Sequence, residues 1–181
     1  MSEKWETLSS ELAIEHPFLR VTMDTVRLPD GQIIDDWPTV HAGDYVNVLV
    51  VNSEGQGLVL EGYKHGIKRL TWQTVGGLID GDEDPFTAVQ RELLEETGLE
   101  CREWRHLSSF VVDANRHVGT GHFFLGYGPI QVREPDSGDL EPYELKWISA
   151  QQLRHGLWDG RFGGMSYGIN VALALIALNN L

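Results

Sequence analysis

The chain has 181 residues, 41% of them hydrophobic and 23% charged, the make-up of one folded domain or of one domain with a small appendage. Its 27 acidic residues against 14 basic ones leave a net charge of −13, a surface that repels polyphosphate backbones and argues against a DNA or RNA groove binder. A single cysteine, Cys101, excludes an internal disulfide and a cysteine-based zinc site; beside a strand it reads as a small packing residue.

In chain order, the first thirteen residues are polar and charged, with no apolar stretch resembling a signal peptide. The first forty residues read as strands. Leu19, Val21 and Met23 alternate with Arg20, Thr22 and Asp24, the period of a half-buried strand. The apolar phase then slips to Val26 and Leu28, which predicts a β-bulge. Pro29, Asp30 and Gly31 supply turn chemistry and residues 32–37 the returning strand. Pro38 should end it, because proline cannot donate to a central ladder. Residues 1–42 are expected to form a small antiparallel strand unit leading a main domain over 43–181.

From Tyr45 the pattern changes. Residues 45–51 and 58–63 are apolar runs separated by Asn52-Ser53-Glu54-Gly55, a hairpin signal, and 70–75 reads as a further strand. Asp84 is a good N-cap, Pro85 suits the first helical position and Gly98 the stop, so a helix is predicted over 85–97. Phe86, Val89 and Leu93 share one face of it and should meet the core. Strands follow at 104–112, 122–126 and 143–148, and helices at 150–157 and 167–178. Within the last helix, the longest apolar run, 171–178, is far too short to span a bilayer, and a cytoplasmic protein is expected. Many strands with few helices imply an α+β or α/β sandwich.

Between Gly76 and Glu100 stand eight carboxylates (Asp80, Asp82, Glu83, Asp84, Glu92, Glu95, Glu96, Glu100) and one base, Arg91. Such a cluster is either a solvated helix face or a site for hard divalent cations, which prefer oxygen ligands. Glu92 lies three residues from Glu95 and four from Glu96, so the three are neighbours on one face and repel one another. Glu95 and Glu96 also sit in the C-terminal half, where the helix dipole disfavours anions. A bound divalent cation would explain a pattern that stability alone disfavours. Arg91, four before Glu95, is placed to fix one carboxylate by a charge-assisted hydrogen bond.

Gly77, five residues, Glu83, seven residues, then Arg91-Glu92-Leu93-x-Glu95-Glu96-x-Gly98-Leu99 resembles the complete Nudix box. A chance match somewhere in the chain is on the order of 10⁻⁷ at average residue usage. Segments such as Leu28-Pro29-Asp30-Gly31, Tyr45-Val46-Asn47-Val48 and Tyr63-Lys64-His65-Gly66 are similar to the ADP-ribose pyrophosphatase branch of that family. The resemblance implies a Nudix α/β/α sandwich around a mixed sheet, often dimeric through the N-terminal strands. It implies Mg²⁺ or Mn²⁺ held by Glu92 and Glu96, with Glu95 and the Gly76 carbonyl assisting, and Glu83 and Arg91 orienting the carboxylates. It also implies an acidic residue after the box that activates water. Asp139, Glu141 and Glu144 are candidates, and Glu141 fits the spacing best.

Lys64 stands where the branch carries an arginine, and Trp72-Gln73-Thr74-Val75 where it carries glutamate and proline. These departures touch substrate identity more than metal chemistry, since lysine cannot reproduce arginine's bidentate fork. Trp37, Tyr63 and Trp72 are candidates to stack a base, each with a core role as the alternative. Asp113-Ala114-Asn115-Arg116 reads as a structural loop. The expected activity is Mg²⁺-dependent hydrolysis of a nucleoside diphosphate sugar, with ADP-ribose going to AMP and ribose 5-phosphate as the leading case. GDP-mannose, a dinucleotide, or a non-catalytic nucleotide sensor are the alternatives.

Overall fold

The computed structural model describes residues 4–136, 138 and 142–179. In chain order the elements are β1 (Glu6–His16), β2 (Leu19–Arg27), β3 (Ile33–His41), β4 (Tyr45–Val51), β5 (Gln56–Lys64), β6 (Arg69–Gln73), α1 (Pro85–Thr97), β7 (Leu99–Asp113), β8 (His117–Gln131), β9 (Tyr143–Ser149), α2 (Ala150–Gly156) and α3 (Met165–Asn179). They fall into two compact units. One holds the residues up to Asp44 with Phe110–Thr120, the other Tyr45–Ser109 with Gly121 onward.

In the first unit β1, β2 and β3 pair antiparallel in succession. The sequence pattern did not delimit β1: its apolar residues Leu8, Leu12 and Ile14 are interrupted by Ser10, and every residue from Glu6 to His16 is exposed, so no buried face declares the strand's bounds. The irregularity predicted near Val26 is present, but the extra residues lie in the partner strands. β3 advances three residues and β2 two between the pairs Asp24↔Trp37 and Val26↔Ile34. Along β2 the inward side chains here are Asp24 and Val26, at 8% and 4% exposure. The inward Asp24 carboxylate accepts from the hydroxyls of Ser10 (2.6 Å) and Thr39 (2.7 Å), and the first of these bonds leads in holding its pKa below the ordinary value.

Pro38 does not end β3, as expected from sequence; the strand runs through it to His41. Its pairing explains the tolerance. β2 flanks β3 along its length, whereas β8 meets it only at Val40 and His41, so Pro38 sits where the second edge has no ladder to break.

In the second unit β4 runs parallel to β8 from Tyr45↔Gly121 to Val51↔Tyr127, while β5 pairs antiparallel with β4, β6 and β9. The sheet is therefore mixed, as anticipated. Strand β4 is apolar on both faces. Val46, Val48 and Val50 meet Ala88, Val89 and Leu93 of α1, and Leu49 and Val51 meet Leu153 of α2 with Val171, Ala174 and Leu175 of α3. A sheet buried on both sides needs a helical layer on each, which gives the α/β/α sandwich.

Helix α1 matches its predicted bounds. The Asp84 carboxylate accepts from the amides of Phe86 and Thr87, Pro85 opens the helix, and Gly98 closes it with φ 69°. Phe86 departs from expectation: it is 41% exposed and meets Trp104 edge-on with 5.7 Å between ring centroids. It lies in the first turn, before the buried stretch of Ala88, Val89, Leu93 and Thr97 begins. Cys101 lies partly buried in β7, and burial pushes its thiol up to about 12, the behaviour of a packing residue. Among the described residues no helix is long and apolar enough to cross a membrane.

Candidate active site

The carboxylates of α1 are organised by one guanidinium. Arg91 Nη1 donates to Glu92 Oε1 (2.7 Å) and Glu95 Oε2 (3.2 Å), while Nη2 donates to Glu83 Oε2 (2.9 Å) and to the Leu78 carbonyl (3.0 Å). Its Nε also faces both oxygens of Glu83, at 3.2 and 3.3 Å. Arginine's planar fork lets a single side chain serve all these acceptors. Arg91 was expected to fix one carboxylate; it fixes three. The Arg91 hydrogen bond holds the Glu83 carboxyl below the ordinary carboxylate range, and Glu83 in turn leads in raising the guanidinium's affinity for its proton.

Glu96 turns elsewhere. Its Oε2 accepts from the Gly76 amide at 3.1 Å, tying the helix to the loop that precedes it. Glu83, Glu92 and Glu95 thus share one guanidinium while Glu96 is held by a backbone amide, and among the described residues no three acidic, histidine or cysteine side chains converge closely enough to hold an ion as they stand. The chemistry of the set still fits a hard divalent ion: three carboxylates project from two turns of one helix beside a backbone loop. Gly77 adds to the fit. A Cβ there would lie 2.5 Å from the carboxylate carbon and both oxygens of Glu92, so the Glu92 carboxylate rests directly on the Gly77 backbone and would have to move for any larger residue.

The end of α1 is equally accounted for. The carbonyls of its last four residues, orphaned in a free helix, each find a donor. Leu94 accepts from the Gly98 amide (2.9 Å), Glu95 from the Asp136 amide (2.8 Å), Glu96 from the Tyr143 hydroxyl (2.9 Å) and Thr97 from Gln131 Nε2 (3.1 Å). Gln131, Asp136 and Tyr143 are positioning residues that sequence reasoning missed. They belong to no local motif, because their partners are backbone carbonyls many positions away.

The other predicted residues are dispersed. Trp72 is buried at 6% exposure; its indole N–H donates to Glu61 Oε1 (2.9 Å), the Arg161 guanidinium lies 4.7 Å over its ring, and Phe162 packs edge-on. Its surroundings are those of a packing residue in the layer beneath α2. Glu61 also pairs with Lys146, which reaches Glu144 at 3.1 Å. Tyr63 is 42% exposed near the end of β5, and half-buried Lys64 closes that strand. Trp37 belongs to the first unit, where it packs edge-on against Trp5 and donates to the Asn115 carbonyl at 3.2 Å. Asp113 caps the 113–116 turn by accepting from the Asn115 and Arg116 amides, as a structural loop should. Asp139 and Glu141 lie outside the described residues.

Glu83 gives a pH prediction. A depressed carboxyl pKa contributes stability that is fully present above the unfolded value of about 4.3 and is lost as pH falls through the lower folded value. The denaturant midpoint should therefore decline below about pH 4.3. Arg91→Gln should flatten that decline, and urea titrations at stepped pH would show it; equal slopes in both proteins would detach Glu83 from acid stability.

Comparison with known proteins places the chain among nucleotide hydrolases. The NUDIX domain model matches residues 42–164, and the nucleoside diphosphate sugar hydrolase N-terminal domain matches residues 5–40. The chain is similar to a CMP-5'-(N-acetyl-N-hydroxy-3-aminopropyl)phosphonate hydrolase of Streptomyces rubellomurinus, 28% identical over 176 residues, which is 95% of this chain and 84% of that protein. An ADP-ribose pyrophosphatase of Mycobacterium tuberculosis is 32% identical over 134 residues, covering 74% of this chain and 64% of that one. The fold matches a solved ADP compounds hydrolase with a TM-score of 0.86 at 16% identity, over 98% of this chain and 95% of the other.

Proposed function

The chain belongs to the NUDIX domain family, and from that premise we propose that it hydrolyses the pyrophosphate bond of a nucleoside diphosphate sugar, ADP-ribose foremost, with Mg²⁺ or Mn²⁺ as cofactor. Water would add to one phosphorus, the bridging P–O bond would break, and a nucleoside monophosphate and a sugar phosphate would leave. The observation that carries this reading is the single guanidinium joining Glu83, Glu92 and Glu95 beside the Gly77 cleft. A bound divalent cation supplies polarisation of phosphoryl oxygens and a water of lowered pKa.

Glu92, Glu95, Glu96 and the Gly76 carbonyl are the groups that would hold such an ion. Arg91 aims Glu92 and Glu95 through its hydrogen bonds, and Glu83 keeps Arg91 in place; the anchored Glu96 ties its helical turn to the Gly76 loop. Glu141 is the proposed water-activating base. Lys64 and Tyr63, on the last residues of β5, are the proposed contacts for phosphate and base. Trp37 and Trp72 stay proposed as secondary aromatic contacts, beside the packing contacts each makes with Trp5 and Phe162. The apolar side chains exposed on β1 and β2, Leu8, Leu12, Ile14 and Leu19, support a homodimer built through the N-terminal strands.

A panel of ADP-ribose, GDP-mannose, a dinucleoside polyphosphate and a CMP-linked phosphonate, each with Mg²⁺ or Mn²⁺, tests the proposal by release of nucleoside monophosphate. Metal-dependent turnover with ADP-ribose as the best substrate is expected. No turnover across the panel, with nucleotide binding retained, would instead support the sensor alternative.

A further inference from the structure

A cavity of about 380 Å³ opens beside the first turn of α1, lined by Phe86, Trp104, His106, Ser109, His122 and Phe124 together with Asp84 and Pro85. Phe86 stands six residues before Glu92, roughly 120° away around the helix at 100° per residue, so the cavity is not the cleft organised by Arg91. Its walls are aromatic. Phe86 meets Trp104 at 5.7 Å and Phe124 at 6.3 Å between ring centroids, and His106 meets Phe124 at 5.1 Å. Phe86 and Trp104 leave ring surface uncovered in this opening, although a helical position of this kind ordinarily buries it.

The polar side of the cavity is a relay of three groups. Ser109 Oγ lies 3.0 Å from His106 Nε2 and 2.8 Å from His122 Nδ1. A hydroxyl has one proton, so it can donate to one neutral imidazole while the other donates to it. Reversing the relay exchanges donor for acceptor at the second ring nitrogen of His106. The rim can thus adapt to a hydrogen-bonding edge of either sense. A metal ion is a poorer occupant, because among the described residues no third histidine, cysteine or carboxylate stands close enough to complete a site. The Asp84 carboxylate is engaged in capping α1.

We infer that this cavity is a second small-molecule site, one that takes a planar heteroaromatic ring against the exposed faces of Phe86 and Trp104 and hydrogen-bonds its edge to the His106–Ser109–His122 relay. The volume falls in the range of small-molecule pockets, and offset or edge-on ring contacts at 4.5–7 Å are the geometry these walls already use. The inference is independent of the hydrolytic reading and stands or falls without it.

Benzimidazole, a planar ring with one N–H and one bare nitrogen, is a suitable probe. Titrated into the ¹⁵N-labelled full chain, it should produce saturable shifts at Ser109, His106, His122 and the Trp104 indole. Ser109→Ala and Phe86→Ala, both at exposed positions, should weaken it at least about tenfold, while Glu92→Gln binds it as the wild type does. A non-saturable response, saturable shifts centred on α1 residues 91–96, or full affinity in both cavity variants would each overturn the assignment. Retained amide dispersion in the two variants separates loss of the site from loss of the fold.

Discussion

Glu92→Gln is expected to lower kcat/KM on the best substrate of the panel by at least about a hundredfold, a loss of roughly 3 kcal/mol of transition-state stabilisation. Glutamine keeps the shape and one acceptor, so Arg91 Nη1 retains a partner where it now meets Glu92 Oε1 at 2.7 Å. What disappears is the charge that a divalent cation requires of its oxygen ligand. Glu96→Gln should behave alike, because its amide oxygen can still accept from the Gly76 N–H. Stability should move the other way. Three neighbouring anions repel, and removing one relieves helix α1, so the melting temperature should hold or rise slightly. Activity loss with an unchanged melting temperature is the expected signature, read from steady-state kinetics and calorimetry on the same samples. Wild-type turnover in either variant would remove that residue from the catalytic set.

Gly98→Ala is expected to destabilise the protein by about 2 kcal/mol or more, lowering the melting temperature by at least roughly 4 °C for a chain of this size. Two costs combine. The backbone at Gly98 has φ 69°, the left-handed region in which any Cβ is strained. A Cβ would also lie 2.0 Å from the Arg133 carbonyl, a backbone atom with little freedom to yield. The Gly98 carbonyl additionally accepts from the amides of Val132 and Arg133, so displacing the cap disturbs the segment that crosses the helix end. Differential scanning calorimetry decides the matter. An unchanged melting temperature would mean that the helix terminus relaxes without consequence.

Much of this architecture was legible because its signals are local. Asp84, Pro85 and Gly98 delimit α1 through capping chemistry that acts within a few residues. The apolar runs of β4 and β5 declare strands buried on both faces. The spacing of Gly77, Glu83, Arg91, Glu92, Glu95 and Glu96 likewise marks a shared site, and the structure brings Arg91 to Glu83, Glu92 and Glu95 and joins Glu96 to Gly76. What escaped the sequence depends on distant partners. β1 is exposed throughout, and its few apolar residues do not mark where its pairing with β2 begins or ends. Pro38 reads as a strand breaker until its open edge is known. The aromatic residues divide for the same reason. Nothing within a few positions of Trp72 reveals that Arg161 will cover its ring, nor is the exposure of Phe86 written in the helix period that should bury it.

The carbonyls at the end of α1 carry one more implication. The stretch leading from Asp136 to Tyr143 is moored at both extremities to the same helical turn, at Glu95 and at Glu96. Both moorings fall on carbonyls of the turn that carries Glu95 and Glu96, so displacing either one unsatisfies an acceptor at the end of α1. Under the proposed metal role of Glu95 and Glu96, a substitution at either anchor, Asp136 or Tyr143, is expected to register in metal affinity as well as in the stability of the helix end.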